Sequence, residues 1–267
     1  MPTLPRPEPH QHRTMAESFG VDPERYDRAR PRYPDELVTA VLEASPGNEL
    51  LNVGCGTGIE GRQFHARGAV VLGVEPDVRM AEFARRDFPV EVAKFEDWDP
   101  AGRTFDALVS GQAWHWVDPA AGAAKAAQVL RPGGRFVAFW HVFLPPEEIS
   151  HALADALRRA MPDSPFSGNY LKSPSADAYQ PMLDKAAVGL AGTGAFGKAE
   201  NWRYDWTQNY RRDEWLDLLA TQGGVTVATP EQRDQILAEV GAAIDARGGH
   251  LTTNYSTAAV TAVRLPS

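Results

Sequence analysis

A chain of 267 residues, 43% of them hydrophobic, is long enough to bury a substantial core, as one domain or as one domain with an inserted cap. Its 35 acidic against 27 basic residues give a net charge of -8, which argues against a general nucleic-acid surface. The single cysteine, Cys55, excludes a disulfide framework and a thiolate metal cluster, and no metal is expected.

Residues 1–13 are proline-rich and polar and read as a disordered tail, in which His10 and His12 read as solvated rather than as metal ligands. The N-terminus lacks the apolar core of a signal peptide, and no stretch approaches the roughly 18 apolar residues of a membrane span. A soluble, cytoplasmic protein is expected. Residues 14–48 read as an N-terminal helical segment, with one helix from Met15 to Ala29, a break at Pro31 and a second helix from Pro34 to Glu43.

From residue 49 to 144, strands near 50–54, 70–75, 89–93, 105–110 and 135–140 alternate with helices. That pattern predicts a parallel sheet covered on both faces, with ligands outside the carboxyl ends of the strands. The apolar run Leu50 to Val53 enters the turn Gly54-Cys55-Gly56-Thr57-Gly58, where glycines permit a tight reversal and close approach of a ligand. Gly68 ends the following helix as a left-handed C-terminal residue. The next strand, Val70 to Val74, delivers Glu75 beside the turn, where a carboxylate can accept hydrogen bonds from both hydroxyls of a ribose. Asp118-Pro119 caps an alanine-rich helix.

The alternation stops over residues 145–197, where helices from His151 to Met161 and from Tyr179 to Val188 suggest a helical cap inserted after the fifth strand. Residues 198–267 return to the core, with a strand at 199–207, helices Arg212 to Ala220 and Pro230 to Ala246, and a strand from Leu251 to Val263. No internal repeat is present.

The turn has the spacing G-x-G-x-G. Nicotinamide and flavin enzymes use G-x-G-x-x-G/A, whose third small residue would fall here on Ile59. The turn instead resembles motif I of the class I S-adenosylmethionine (SAM) dependent methyltransferases, of the type 11-like kind. Phe105 to Ser110 resembles that family's fourth strand, and Leu130-Arg131-Pro132-Gly133-Gly134 its L-x-P-G-G turn into the fifth. Tyr26 to Pro34 resembles the lid of its small-molecule members, trans-aconitate methyltransferase among them. The resemblance covers residues 50–140. It implies an α/β fold with a Rossmann-like, seven-stranded, mostly parallel sheet of order 3-2-1-4-5-7-6, helices on both faces, and SAM as cofactor.

The resemblance further implies cofactor contacts from Asn52, Gly54, Cys55, Gly56, Thr57, Gly58, Glu75, Pro76, Phe95, Glu96 and Ser110. Cys55 reads as a small residue packed under the cofactor. Two positions depart from the family pattern. Lys94 occupies the slot where an acidic residue usually reads the adenine amino group, and Asn52 stands where many members have Asp.

The methyl of SAM is already activated, so catalysis can rest on positioning, and catalytic residues are hard to see in a sequence. His115, after the fourth strand, is the best general-base candidate by position and ordinary pKa; its alternative role is to hydrogen-bond the cofactor or order the loop. His141, ending the fifth strand, is the second. His65, His151 and His250 read as structural. Tyr26, Arg30, Tyr33, Trp114 and Trp116 are candidate substrate contacts, although the spacing of the two tryptophans turns one of them toward the core.

Methyl transfer to an oxygen or nitrogen of a small aromatic or heterocyclic metabolite is therefore expected. Ser110-Gly111-Gln112-Ala113 stands where nucleobase N-methyltransferases carry Asn-Pro-Pro-Tyr or Asp-Pro-Pro-Tyr. Arg30 and Arg32 would suit carboxyl O-methylation of a small acid. A cyclase or sensor that binds SAM without transferring methyl is a different class, and a nicotinamide oxidoreductase a remote third. The expected partner is a small-molecule substrate, with no nucleic acid or membrane, for a monomer or homodimer.

Overall fold

Four consecutive buried positions, Leu50 to Val53, leave the first strand enclosed on both faces, the signature of a strand at the middle of a parallel sheet. The computed structural model describes residues 18–164 and 177–266. Seven strands, β1 Glu49–Val53, β2 Val70–Glu75, β3 Val90–Val92, β4 Phe105–Gly111, β5 Leu130–Leu144, β6 Glu200–Arg211 and β7 His250–Val263, form one sheet of order β3-β2-β1-β4-β5-β7-β6. β1 to β5 run parallel, and β7 is antiparallel to both β5 and β6.

Among the described residues the helices are α1 Pro23–Ala29, α2 Asp35–Glu43, α3 Ile59–His65, α4 Val78–Ala84, α5 Pro119–Val129, α6 Glu147–Ala160, α7 Gln180–Gly192, α8 Arg212–Ala220, α9 Gly223–Thr226 and α10 Pro230–Asp245. One apolar cluster, with Leu51, Leu108, Phe136 and Trp140, packs against α5 and α7. A second, with Leu37, Val41, Phe64 and Phe139, packs against α2 and α3. A third gathers Ile149, Leu157, Trp215, Ile236 and Tyr255 where α6, α8 and α10 meet β7. The two helices of segment 145–197 thus lie apart: α6 packs on α10, and α7 on α5.

Local chemistry explains where the elements begin and end. The helix expected from Met15 is, among the described residues, a 3-10 turn Phe19–Val21 followed by α1, because the Asp22 side chain accepts from the Arg25 N–H and Pro23 takes the first helical position. Gly68 (φ 88°) closes α3, with its N–H on the His65 carbonyl and the Ala69 N–H on that of Phe64. α6 starts at Glu147 rather than His151, since Pro146 precedes it and two glutamates occupy its first turn, where the helix dipole favours them. β5 runs to Leu144, beyond the expected Trp140, because β7 pairs with it from Arg135↔Val263 to Leu144↔Asn254. The tail expected at residues 1–13, with His10 and His12, lies outside the described residues. Among the described residues no helix is long and apolar enough to cross a membrane.

Candidate cofactor and substrate site

At the carboxyl end of β1 the chain turns through Gly54 (φ 64°) and Gly56 (φ 54°), both in the left-handed region that favours glycine. The Gly54 N–H donates to the Val74 carbonyl at 2.8 Å, which ties the turn to β2. The carboxylate at the end of β2 completes the tie. Glu75 Oε2 accepts from the Gly56 N–H at 2.8 Å and Oε1 from the Asp77 N–H at 3.0 Å. Glu75 is buried, and burial pushes its carboxyl up to about 7 against the pull of those two donors.

The turn, Glu75, Pro76 and Asp77 open onto a cavity of about 650 Å3, within the usual range for small-molecule sites. Its walls continue through Met80, Phe95 and Glu96 to Gln112, His115 and Trp116, and then to Phe19, Tyr26, Arg30, Phe143, Tyr179 and Gln222 to Gly224. Glu96 Oε1 accepts from the Asp118 N–H at 2.7 Å, so this side chain also fixes the segment that carries Trp116. A second, small cavity of about 40 Å3 borders the same turn and is lined by Cys55, Thr57, Glu60, Tyr33 and His141 among others.

Tyr26 on α1 and Arg30 just after it border the cavity. Asp217 on α8 binds both Arg25 and Arg28, and Asp27 binds Arg62 on α3 and Arg32. Arg30 donates through Nη2 to the Thr221 carbonyl at 2.5 Å, with its guanidinium 4.7 Å from the centre of the Tyr26 ring. It has no carboxylate partner among the described residues and lines both cavities. Arg32, offered by the sequence as a carboxylate ligand, is instead committed to Asp27.

Trp140 Nε1–H donates to His115 Nδ1 at 3.0 Å. An indole nitrogen only donates, so His115 Nδ1 accepts and the neutral ring carries its proton on Nε2. Burial lowers the His115 pKa to about 4, which keeps the ring neutral near pH 7. A ring in that state, on the cavity wall, can donate a hydrogen bond from Nε2. His141 is buried, stacks on Tyr33 at 4.4 Å, lies 2.9 Å from Thr257 Oγ1 through Nδ1, and has its pKa lowered to about 3 by burial. It lines the small cavity rather than the large one.

Other expected contacts separate by burial. Gly54, Gly56, Glu75, Pro76, Phe95, Glu96, Tyr26, Arg30 and Trp116 line the large cavity, and Cys55, Thr57 and Tyr33 line only the small one. Asn52, Gly58, Ser110 and Trp114 line neither. Asn52 is fully buried with its amide donating to Glu60 Oε1 at 3.0 Å, and Gly58 (φ 88°) begins α3 against Phe88. Ser110 is fully buried one position before Gly111, which does line the cavities, because side chains alternate along β4. Trp114 packs edge-on to Phe136 at 4.7 Å within the core. Gln112, Ala113, Phe143, Tyr179 and α9 were missed. Gln112 stands at φ 55°, which its residue type does not announce, and α9 carries no apolar period.

Two buried carboxyls with raised pKa give a pH signature. Burial also pushes Glu60 up to about 7, against the Asn52 amide and the Gly111 N–H. The folded state then holds protons that the unfolded state, with carboxyls near 4.5, has released. The contribution of this pair is fully present below pH 4.5, declines as the pH rises toward 7 and is flat above. Urea denaturation between pH 4.5 and 8 is expected to show this decline. The double substitution Glu60→Gln and Glu75→Gln is expected to flatten it; an unchanged slope would place the titration elsewhere.

Residues 51–138 match the methyltransferase domain family. An uncharacterized methyltransferase of Mycobacterium bovis is 38% identical over 132 residues, covering 48% of this chain and 54% of the relative. Residues 51–138 thus resemble a methyltransferase domain. A demethylmenaquinone methyltransferase of Corynebacterium kroppenstedtii shares 31% identity over 96 residues, 35% of this chain and 42% of that one. The chain thus spans about half the length, or less, of these curated relatives. A solved structure from Anaeromyxobacter dehalogenans, described as a candidate type II methyltransferase, superposes with a TM-score of 0.67 at 23% identity and covers 89% of this chain and 99% of its own, a likeness of fold.

SAM is the cofactor of the family, and the methyltransferase domain fits it. The left-handed glycine turn leaves its backbone open to a ligand, and Glu75 is a buried carboxylate at the strand end. Both border one cavity large enough for a nucleoside.

Proposed function

We propose that this chain transfers the methyl group of SAM to an oxygen or nitrogen of a small planar metabolite. The observation that carries the reading is the continuity of one cavity from the glycine turn and Glu75 to an aromatic wall of Phe19, Tyr26, Trp116, Phe143 and Tyr179. Gly54 and Gly56 would border the methionine and ribose portions of the cofactor, Glu75 would accept from the ribose hydroxyls, and Pro76, Phe95 and Glu96 would flank the adenosine. When bound, the cofactor supplies a methyl group already activated on a sulfonium.

The chain's own work is then orientation and the exclusion of water. The aromatic wall holds a flat acceptor, α1 covers it, and His115 donates a hydrogen bond to it through Nε2–H. Turnover is accordingly expected to show no limb near pH 6.5. His115→Gln retains a donor and keeps most of the rate, whereas His115→Phe loses about tenfold, the value of one hydrogen bond. Equal, large losses in both variants, with a rate limb at a histidine pKa, would restore the base mechanism.

A second reading, carboxyl O-methylation of a small acid, is favoured by Arg30, a guanidinium on the cavity wall without a carboxylate partner among the described residues. Parallel calorimetric titration with SAM, S-adenosylhomocysteine and NADH tests the cofactor, and a screen of aromatic and carboxylate acceptors with labelled SAM tests the transfer. Micromolar binding of the first two and label in an acceptor are expected. SAM binding without transfer to any acceptor would favour a cyclase or sensor, and NADH binding alone would overturn the reading.

A further inference from the structure

The small cavity is bordered by the glycine turn on one side and by Glu60 on another. Glu60 is only 4% exposed. Its Oε1 accepts from Asn52 Nδ2 at 3.0 Å and from the Gly111 N–H at 3.2 Å, and no cationic side chain pairs with it among the described residues. A buried carboxylate without a counter-ion is costly to keep ionised. Three more buried polar atoms on residues of the same wall, Arg30 Nε, Thr57 Oγ1 and His141 Nε2, have no hydrogen-bond partner among the described residues. Buried polar groups in folded proteins are nearly always paired, so this concentration marks a place that a polar ligand completes. The volume, about 40 Å3, suits a group of a few atoms.

We propose that Glu60 is the receptor for the α-ammonium group at the amino-acid end of the cofactor. This inference rests on the SAM reading above. The carboxyl end of β1 offers no charge for that ammonium, because position 52 is Asn and its amide is turned to Glu60. Glu60 stands in the first turn of α3, and Asn52 steadies it there. The ammonium would supply the counter-ion that the folded chain withholds from Glu60.

Calorimetric titration of the full chain with S-adenosylhomocysteine and with methylthioadenosine tests this, since the second compound has the same adenosine and thioether sulfur without the amino-acid end. Glu60→Gln can still accept from Asn52 and Gly111, so the site remains built. The variant is expected to bind S-adenosylhomocysteine at least tenfold more weakly than the wild type and methylthioadenosine within twofold. An unchanged affinity for S-adenosylhomocysteine, or equal losses for both compounds, would overturn the role of Glu60 while wild-type binding leaves the cofactor reading intact. A wild-type chain that binds neither compound would overturn both.

Discussion

Gly54→Ala is expected to weaken SAM binding by about a hundredfold, or about 2.7 kcal/mol, and to lower stability as well. A methyl group at this position would lie 2.5 Å from the Cβ of Ala113, and the backbone φ of 64° disfavours any side chain. The left-handed conformation costs about 1 to 2 kcal/mol and the overlap about 1 to 3 kcal/mol. Relief requires the turn to move away from the loop after β4. Gly54 lines both cavities and its neighbour Gly56 donates to Glu75, so that movement would also disturb the carboxylate. The pair Gly54→Ala with Ala113→Gly removes the overlap and leaves the φ cost. It is expected to recover part of the affinity, read by calorimetry, and part of the melting temperature. A Gly54→Ala variant that binds SAM normally would show that the turn does not approach the cofactor.

Trp140→Ala should cause the largest loss of stability, roughly 3 to 5 kcal/mol, the range for deleting a large buried aromatic side chain. In a domain of this size that corresponds to a fall of roughly 10 °C in melting temperature. Trp140 packs in the cluster that supports the sheet, and its indole N–H holds His115. Trp140→Phe keeps most of the apolar contact and removes only the donor, so it should cost far less, about 1 to 2 kcal/mol. It also releases His115 Nδ1 and with it the constraint on which ring nitrogen carries the proton. Nitrogen NMR of the imidazole reads this directly, with the Nε2-protonated tautomer expected in the wild type and a mixture in Trp140→Phe. A mixture in the wild type would show that the indole does not set the tautomer.

The parts of the fold and site that could be read in the sequence are those written in adjacent residues. The strand, turn and helix around Gly54, Gly56 and Gly68, and the strand that ends at Glu75, are local patterns of apolar runs and backbone freedom. The sheet order came from the family resemblance, because β7 pairs with strands far away in the chain. What could not be read depends on partners distant in sequence. The proton position on His115 is set by Trp140, 25 residues on. Asn52 and Glu60 lie eight residues apart, and only the packing of α3 on β1 turns the amide to the carboxylate. Trp114 and Trp116 have the same residue type, and the 3-10 turn Trp114–Trp116 decides that one packs against Phe136 and the other reaches the cavity.

The position of β7 between β5 and β6 bears on how the chain assembles. The parallel strands β1 to β5 can find one another as they emerge in order from a ribosome, but the outer edge of β5 has no neighbour until the whole stretch from Pro145 to Gly249 has followed. During that interval a long apolar edge, Phe136 to Phe143, offers unpaired N–H and C=O groups to any passing strand. Pairing so distant in sequence is slow because the loop must close before any contact rewards it. Until β7 arrives, that side of the sheet is open to edge-to-edge pairing, and the arrival of β7 covers it.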